Sequence, residues 1–176
     1  QVPASSLNAR MAFAEKLARE CGELAVRESA HLAVSSKGAH DVLTQADLAV
    51  ERHIREAVAQ AFPGDQVVGE EMGGQGDVVA DQDFWLVDPI DGTANYATDI
   101  PRWCISIAYL KAGKPFIGVL FDPVINRIST AKSPSSSCGK NSPPIMRNAI
   151  TAATKTTSVL ESVNHFKRRA RRLTGT

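Results

Sequence analysis

The stretch Phe84-Trp85-Leu86-Val87-Asp88-Pro89-Ile90-Asp91-Gly92-Thr93 decides how this chain is read. Its four leading apolar residues read as a buried strand, and Pro89, with no N–H to offer a ladder, predicts that the strand stops there. Asp88 and Asp91 straddle that stop, and Gly92 and Thr93 follow at once. A strand end that delivers both carboxylates into one small volume creates like-charge repulsion, relieved by a bound cation or by protonation of one partner. Oxygen-only donors favour Mg²⁺, Mn²⁺ or Ca²⁺ over zinc. Gly92 lets the backbone approach a ligand closely, and Thr93 suits a helix cap or a water contact. A helix starting here turns its free N–H groups toward an anion, most naturally a phosphate. The competing reading of the same residues is a solvated Asx-type turn at a strand end.

Composition bounds the rest. The 176 residues suit one domain of ordinary size or part of a larger one, and the apolar fraction of 43% is ample for a core. No run of 18 apolar residues occurs, so no membrane span is expected. There is no basic-then-apolar leader, and the chain starts at Gln1 instead of Met, which leaves room for residues upstream. Cys21, Cys104 and Cys138 have no metal-ligand spacing and read as reduced thiols of a cytoplasmic protein. Residues 131–176 hold nine of the 20 Lys and Arg but one acid, Glu161, leaving residues 1–130 with 11 basic and 18 acidic side chains, a net of −7. So acidic a body is a poor nucleic-acid binder and a plausible cation site.

Outward from the central stretch, apolar residues at three- and four-residue steps predict an amphipathic helix from about 7 to 33, broken by Ser35 to Gly38. Asp41 to Thr44 reads as a short link, and Ala46, Val50, Ile54, Val58 and Ala61 form the stripe of a second helix over about 45–61, ended by Pro63-Gly64. Asp47 lies in its first turn, where a carboxylate suits the dipole, and Thr44 suits its N-cap. Gln66 to Gly69 reads as a short strand running into Glu70 and Glu71, then a glycine-rich mobile loop and an acidic surface stretch, Asp77 to Asp83. Trp103–Leu110 and Phe116–Phe121 read as two strands joined closely enough for a hairpin. The order predicts an α+β fold, a helix pair layered on a largely antiparallel sheet. The division expected is residues 1–130 as a metal-binding domain and 131–176 as a divergent or truncated basic segment, in which Lys167 to Arg172 reads as a solvated tail.

Gly69-Glu70-Glu71, the string Asp88-Pro89-Ile90-Asp91-Gly92-Thr93 placed 18 residues after Glu70, and the upstream Asp41 to Asp47 resemble the inositol monophosphatase family of metal-dependent phosphatases. The match is good over roughly 7–130; Asn141 to Ile145 matches a further turn of the family only weakly, with Ser142 in the place of glycine. The family's downstream Trp-Asp motif has no counterpart, since neither Trp85 nor Trp103 precedes an Asp, so the C-terminal half of that fold is expected to be missing.

The resemblance implies Glu70, Asp88 and the Ile90 carbonyl as ligands of a first Mg²⁺, with Asp88 bridging to a second that Asp91 also ligates. Two or three ions are implied, with Mn²⁺ an alternative. It implies that Thr93, hydrogen-bonded to Asp47, orients the attacking water, and that the N–H groups of Gly92 and Thr93 receive the phosphate. Glu71 is a candidate for metal-bound water or a weaker ion. Lys37 is a candidate for the phosphate region against a solvated lysine, and Trp103 reads as core packing. The implied activity is Mg²⁺-dependent hydrolysis of a small phosphate monoester, inositol monophosphate first and histidinol phosphate next. Dimers are common in the family. A truncated, non-catalytic metal-binding remnant is the competing reading, and a polyanion binder acting through the basic tail a distant third.

Overall fold

The computed structural model describes residues 7–31, 34–38, 41–74 and 82–132. Two helices lead: α1, Leu7–Glu28, and α2, Gln45–Ala61. Their inward stripes follow the spacing, Ala14, Leu17, Cys21 and Ala25 on α1 and Ala46, Val50, Ile54 and Val58 on α2, with Ala18 buried beside them. The first helix ends at Glu28 rather than near residue 33, tightening into a 3₁₀ turn over Ser29–His31. There the Ser29 hydroxyl donates to the Val26 carbonyl at 2.7 Å and takes up one of the terminal acceptors.

Three further segments depart from the expectation. Gly73–Gly74, read as part of a glycine-rich loop, form a short strand that turns back on Val68 and Gly69. The residues read as a break and a link are strands: β1, Val34–Gly38, pairs antiparallel with β2, Asp41–Thr44. Their order comes from backbone pairing, which a polar stretch without alternation does not announce. Lys37 therefore lies on a strand instead of in a break.

The main sheet comprises β3 (Gln66–Gly69), β4 (Gly73–Gly74), β5 (Phe84–Asp91), β6 (Cys104–Lys111), β7 (Lys114–Asp122) and β8 (Arg127–Lys132), in the spatial order β4-β3-β5-β6-β7-β8. Only β3 and β5 run parallel; every other pair is antiparallel. The hairpin between β6 and β7 turns on Ala112 and Gly113, both at positive φ (48° and 69°), the twist that two-residue hairpin turns need. One face of the sheet, through Trp85, Val87, Ile107, Ile117 and Val119, packs on α1 and α2. The opposite face carries a second cluster of Val68, Phe84, Leu86, Ala108 and Leu110. The layering is α+β, as the element order implied.

The central strand does not stop at Pro89. It runs to Asp91, and its pairing with β6 slips: Asp88 faces Ser106, and Asp91, three residues on, faces Cys104, two residues back. The extra residue is a bulge, where a proline's missing donor breaks no ladder bond.

Under the helix side, Asp65 ties the layers together. It accepts from Arg10 Nη2 at 2.9 and 3.0 Å and from Trp85 Nε1 at 3.0 Å, while the Arg10 guanidinium lies over the Phe62 and Tyr109 rings. Residues 133–176 lie outside the described residues, and with them the serine-rich stretch, the Asn141 turn and the basic run; so does most of the acidic stretch from Asp77. Asp65→Ala removes the acceptor shared by Arg10, 8% exposed, and fully buried Trp85. It is expected to cost about 3–5 kcal/mol of unfolding free energy by urea titration; a loss under about 1 kcal/mol contradicts the tie.

Candidate active site

The slip in β5 has a chemical result. Side chains alternate along a strand, so Asp88 and Asp91, three apart, belong on opposite faces of a regular one. Their partners Ser106 and Cys104 are two apart and share a face, so the bulge brings the two carboxylates to the same side. Asp88 is half-buried, and its Oδ1 is buried with no hydrogen-bond partner. Burial pushes its pKa far up, and the charges of Glu70 and Asp91, a hydrogen bond with the Glu70 carboxyl and the charge of Asp47 push the same way. Glu70, at the end of β3, thus stands beside Asp88 across the parallel pair. Among the described residues no three His, Cys, Asp or Glu side chains already converge on a single point.

Next, the chain turns at Gly92. Its φ is +104°, and a Cβ there would lie 2.9 Å from the Arg102 carbonyl, so only glycine fits the turn. α3, Thr93–Ala97, starts immediately, with Gly92 as its N-cap. Thr93 is therefore not the cap. Its hydroxyl instead lies 3.1 Å from Asp47 Oδ1 and 2.9 Å from the Ile90 carbonyl, one proton facing two acceptors. Trp103 is buried, edge-on to Tyr96 at 5.0 Å, and the Tyr96 hydroxyl donates to the Ala25 carbonyl at 2.6 Å, which anchors α3 on α1. Trp103 serves packing.

Asp47 does more than complement a dipole. It is 1% exposed, and its Oδ2 accepts from the Thr44 N–H at 2.9 Å and the Thr44 hydroxyl at 2.5 Å, while its own N–H donates back to Thr44 Oγ1 at 3.3 Å. This is a capping box at the start of α2. Burial raises the Asp47 pKa, and the hydrogen bonds from Thr44 and Thr93 oppose that. Thr44, Asp47, Thr93 and Ile90 therefore form one connected group, with Glu70, Asp88 and Asp91 forming the acidic group next to it. The side chain of Cys104 completes the edge, its Sγ 4.0 Å from Asp91 Oδ2. Of the remaining candidates, Glu71 lies beside Glu70 and offers its N–H to Glu51, and Lys37 lies on β1.

The sequence reading missed Glu51. It is 0% exposed, one helical turn after Asp47, and accepts from Arg55, Glu71 and Met72. The available signal was Asp47, Glu51 and Arg55 at four-residue steps on one side of α2, which an apolar-stripe count overlooks.

The donor set fits a hard divalent cation. It is all oxygen, it concentrates negative charge at the end of one strand pair, and one buried carboxylate oxygen is left with nothing to accept from.

Comparison with known proteins agrees with this geometry. A sequence model of the inositol monophosphatase family matches residues 6–176. The chain is 35% identical over 129 residues to inositol monophosphatase 1 of Solanum lycopersicum, covering 71% of this chain and 47% of that protein. It is 44% identical over 85 residues to a histidinol-phosphatase of Mycobacterium tuberculosis, covering 48% and 32%. The crystal structure of the extragenic suppressor protein suhB from Bartonella henselae superposes with a TM-score of 0.66 at 32% identity, covering 76% of this chain and 53% of that one. The chain thus spans about half the length, or less, of the relatives it matches. With the family's model running through nearly all of its residues, the chain belongs to the inositol monophosphatase family.

Proposed function

We propose that the chain carries the cation-binding part of a divalent-metal-dependent hydrolase of small phosphate monoesters. The observation that carries this reading is the buried, unpartnered Oδ1 of Asp88, set among Glu70 and Asp91. Family members are phosphatases, and the two curated relatives above are named for inositol monophosphate and histidinol phosphate chemistry. Glu70, Asp88, Asp91 and the Ile90 carbonyl would hold Mg²⁺, or Mn²⁺ in its place. A divalent ion so held supplies charge neutralisation at the phosphoryl oxygens and makes water more acidic.

The chain's own residues perform the rest. Thr93 donates its hydroxyl proton to Asp47 Oδ1, which leaves the Thr93 oxygen free to accept from a water and aim it. As that water attacks the phosphorus, its proton passes to Thr93 Oγ1 and the threonine proton to Asp47, while the ester P–O bond breaks and the departing alkoxide takes a proton from solvent. Burial suits Asp47 to receive it by raising its proton affinity, and the two Thr44 hydrogen bonds hold its carboxylate in place. The N–H groups of Gly92 and Thr93, at the start of α3, would receive phosphate oxygens. Inositol monophosphate is the first substrate to test and histidinol phosphate the second. A cytoplasmic location suits the thiols of Cys21 and Cys104, both free; among the described residues no helix is long and apolar enough to cross a membrane.

Two measurements test this reading. Phosphate release from either ester by the protein carrying this chain is expected only with Mg²⁺ or Mn²⁺, and Asp91→Asn is expected to lower it at least about 100-fold, the upper end for losing even an outer-shell partner of a metal. Turnover in chelator, or an undiminished Asp91→Asn protein, removes the proposal. The second is a pH dependence. Without a divalent ion the folded chain holds the Asp88 proton more tightly than the unfolded one, its pKa raised from 3.8 to about 9. That contribution to stability is full below about pH 3.8 and is lost as the pH rises toward about 9. Melting curves in chelator are expected to show the decline in the wild type, a shallower one in Asp88→Asn, and recovery of the wild type on adding Mg²⁺. Parallel pH profiles for the two proteins, or no recovery with Mg²⁺, contradict it.

A further inference from the structure

Glu51 is a carboxylate with no solvent exposure in α2, and its bonds run to Arg55 on the same helix and to the two residues after Glu70. Its Oε1 accepts from Arg55 Nε at 2.9 Å and Arg55 Nη2 at 2.7 Å. Its Oε2 accepts from the Glu71 N–H at 2.9 Å, and the Met72 N–H reaches both oxygens at 3.2 Å. Arg55 Nη1 donates in turn to the Val67 carbonyl at 3.0 Å. The pair therefore grips the chain on both sides of Glu70, at Val67 before it and at Glu71 and Met72 after it.

The chain fits against Glu51 with no space to spare. A Cβ on Gly69 would lie 2.0 Å from Glu51 Oε1 and 2.2 Å from its Cδ, so the carboxylate rests on the bare Cα of the residue preceding Glu70. Burying a carboxylate is costly unless it is paired and hydrogen-bonded, and here both oxygens are engaged by a guanidinium and two consecutive backbone N–H groups. One turn earlier on the same helix, Asp47 holds Thr93. The two acids thus join α2 to both strand ends that supply the acidic group.

We propose that Glu51, braced by Arg55, is a positioning residue that fixes Glu70 against Asp88 and so sets how tightly the chain holds a divalent cation. This rests on the cation site proposed above. Outer partners of this kind orient ligands without touching the ion.

The test is a Mn²⁺ titration of the chain followed by water-proton relaxation, with amide hydrogen exchange at Glu71 and Met72. Glu51→Gln keeps the volume but cannot accept with both ends. It is expected to raise the Mn²⁺ dissociation constant about 10–100-fold and to strip protection from the two amides. Gly69→Ala keeps the charge and displaces the carboxylate by contact, and the same weakening is expected; it decides the matter if Glu51→Gln does not fold. Val58→Ala, a buried position on the same helix away from the acids, is expected to lower the melting temperature and leave Mn²⁺ affinity unchanged. The proposal is overturned if a folded Glu51→Gln or Gly69→Ala protein binds Mn²⁺ like the wild type, or if Val58→Ala weakens binding as much as they do. A wild-type chain that binds no Mn²⁺ overturns the cation site itself, a result distinct from either.

Discussion

Everything at the site depends on one extra residue in the central strand. Regular alternation would send Asp88 and Asp91 to opposite faces, where each could be solvated or capped separately. The bulge at Pro89 and Ile90 puts them on the same side, against Glu70 from the neighbouring strand. Carboxylates gathered in a half-buried space repel, and one must hold a proton or share a cation. The raised proton affinity of Asp88 comes first from its burial and then from that repulsion, with no ion to offset either. The same stored repulsion becomes affinity when a divalent ion arrives, since the ion relieves what folding imposed.

The second helix turns this electrostatic fact into a shaped site. Thr44, Asp47, Glu51 and Arg55 follow one another along its inner side. The first two cap the helix and hold the threonine that opens α3; the last two grip the chain around Glu70. One rigid element thereby sets the position of the turn after β3 relative to the start of α3. Groups placed by a helix keep their geometry better than groups placed by a loop, which is what orientation of a water molecule demands.

Much of this was legible before any coordinates. Periodic apolar residues marked α2 from Gln45 to Ala61, and apolar runs marked β5, β6 and β7; burial on both faces leaves such runs in β5 and β6. What escaped was held by backbone pairing instead of side-chain burial. β1 carries Ser35, Ser36 and Lys37, and β8 is a half-exposed edge strand, so neither shows the expected period. Pro89 was read as a terminator because proline lacks a donor, yet a bulge is where that lack is harmless. At the site, the string from Asp88 to Thr93 announced its own chemistry, while the contact of Thr93 with Asp47, 46 residues away, was reachable only through the family resemblance. Glu51 was overlooked for a simpler reason: a charged residue beside an apolar stripe is ordinarily solvent-facing, and two of its partners lie 20 and 21 residues downstream.

The most direct test is anomalous diffraction from crystals of the chain grown with Mn²⁺. The account predicts a Mn²⁺ peak within bonding distance of carboxylate oxygens from Asp88 and Glu70, with Asp88 Oδ1 no longer without a partner. A well-ordered crystal with no anomalous peak at these residues, or with Mn²⁺ held only at surface acids elsewhere, would contradict it.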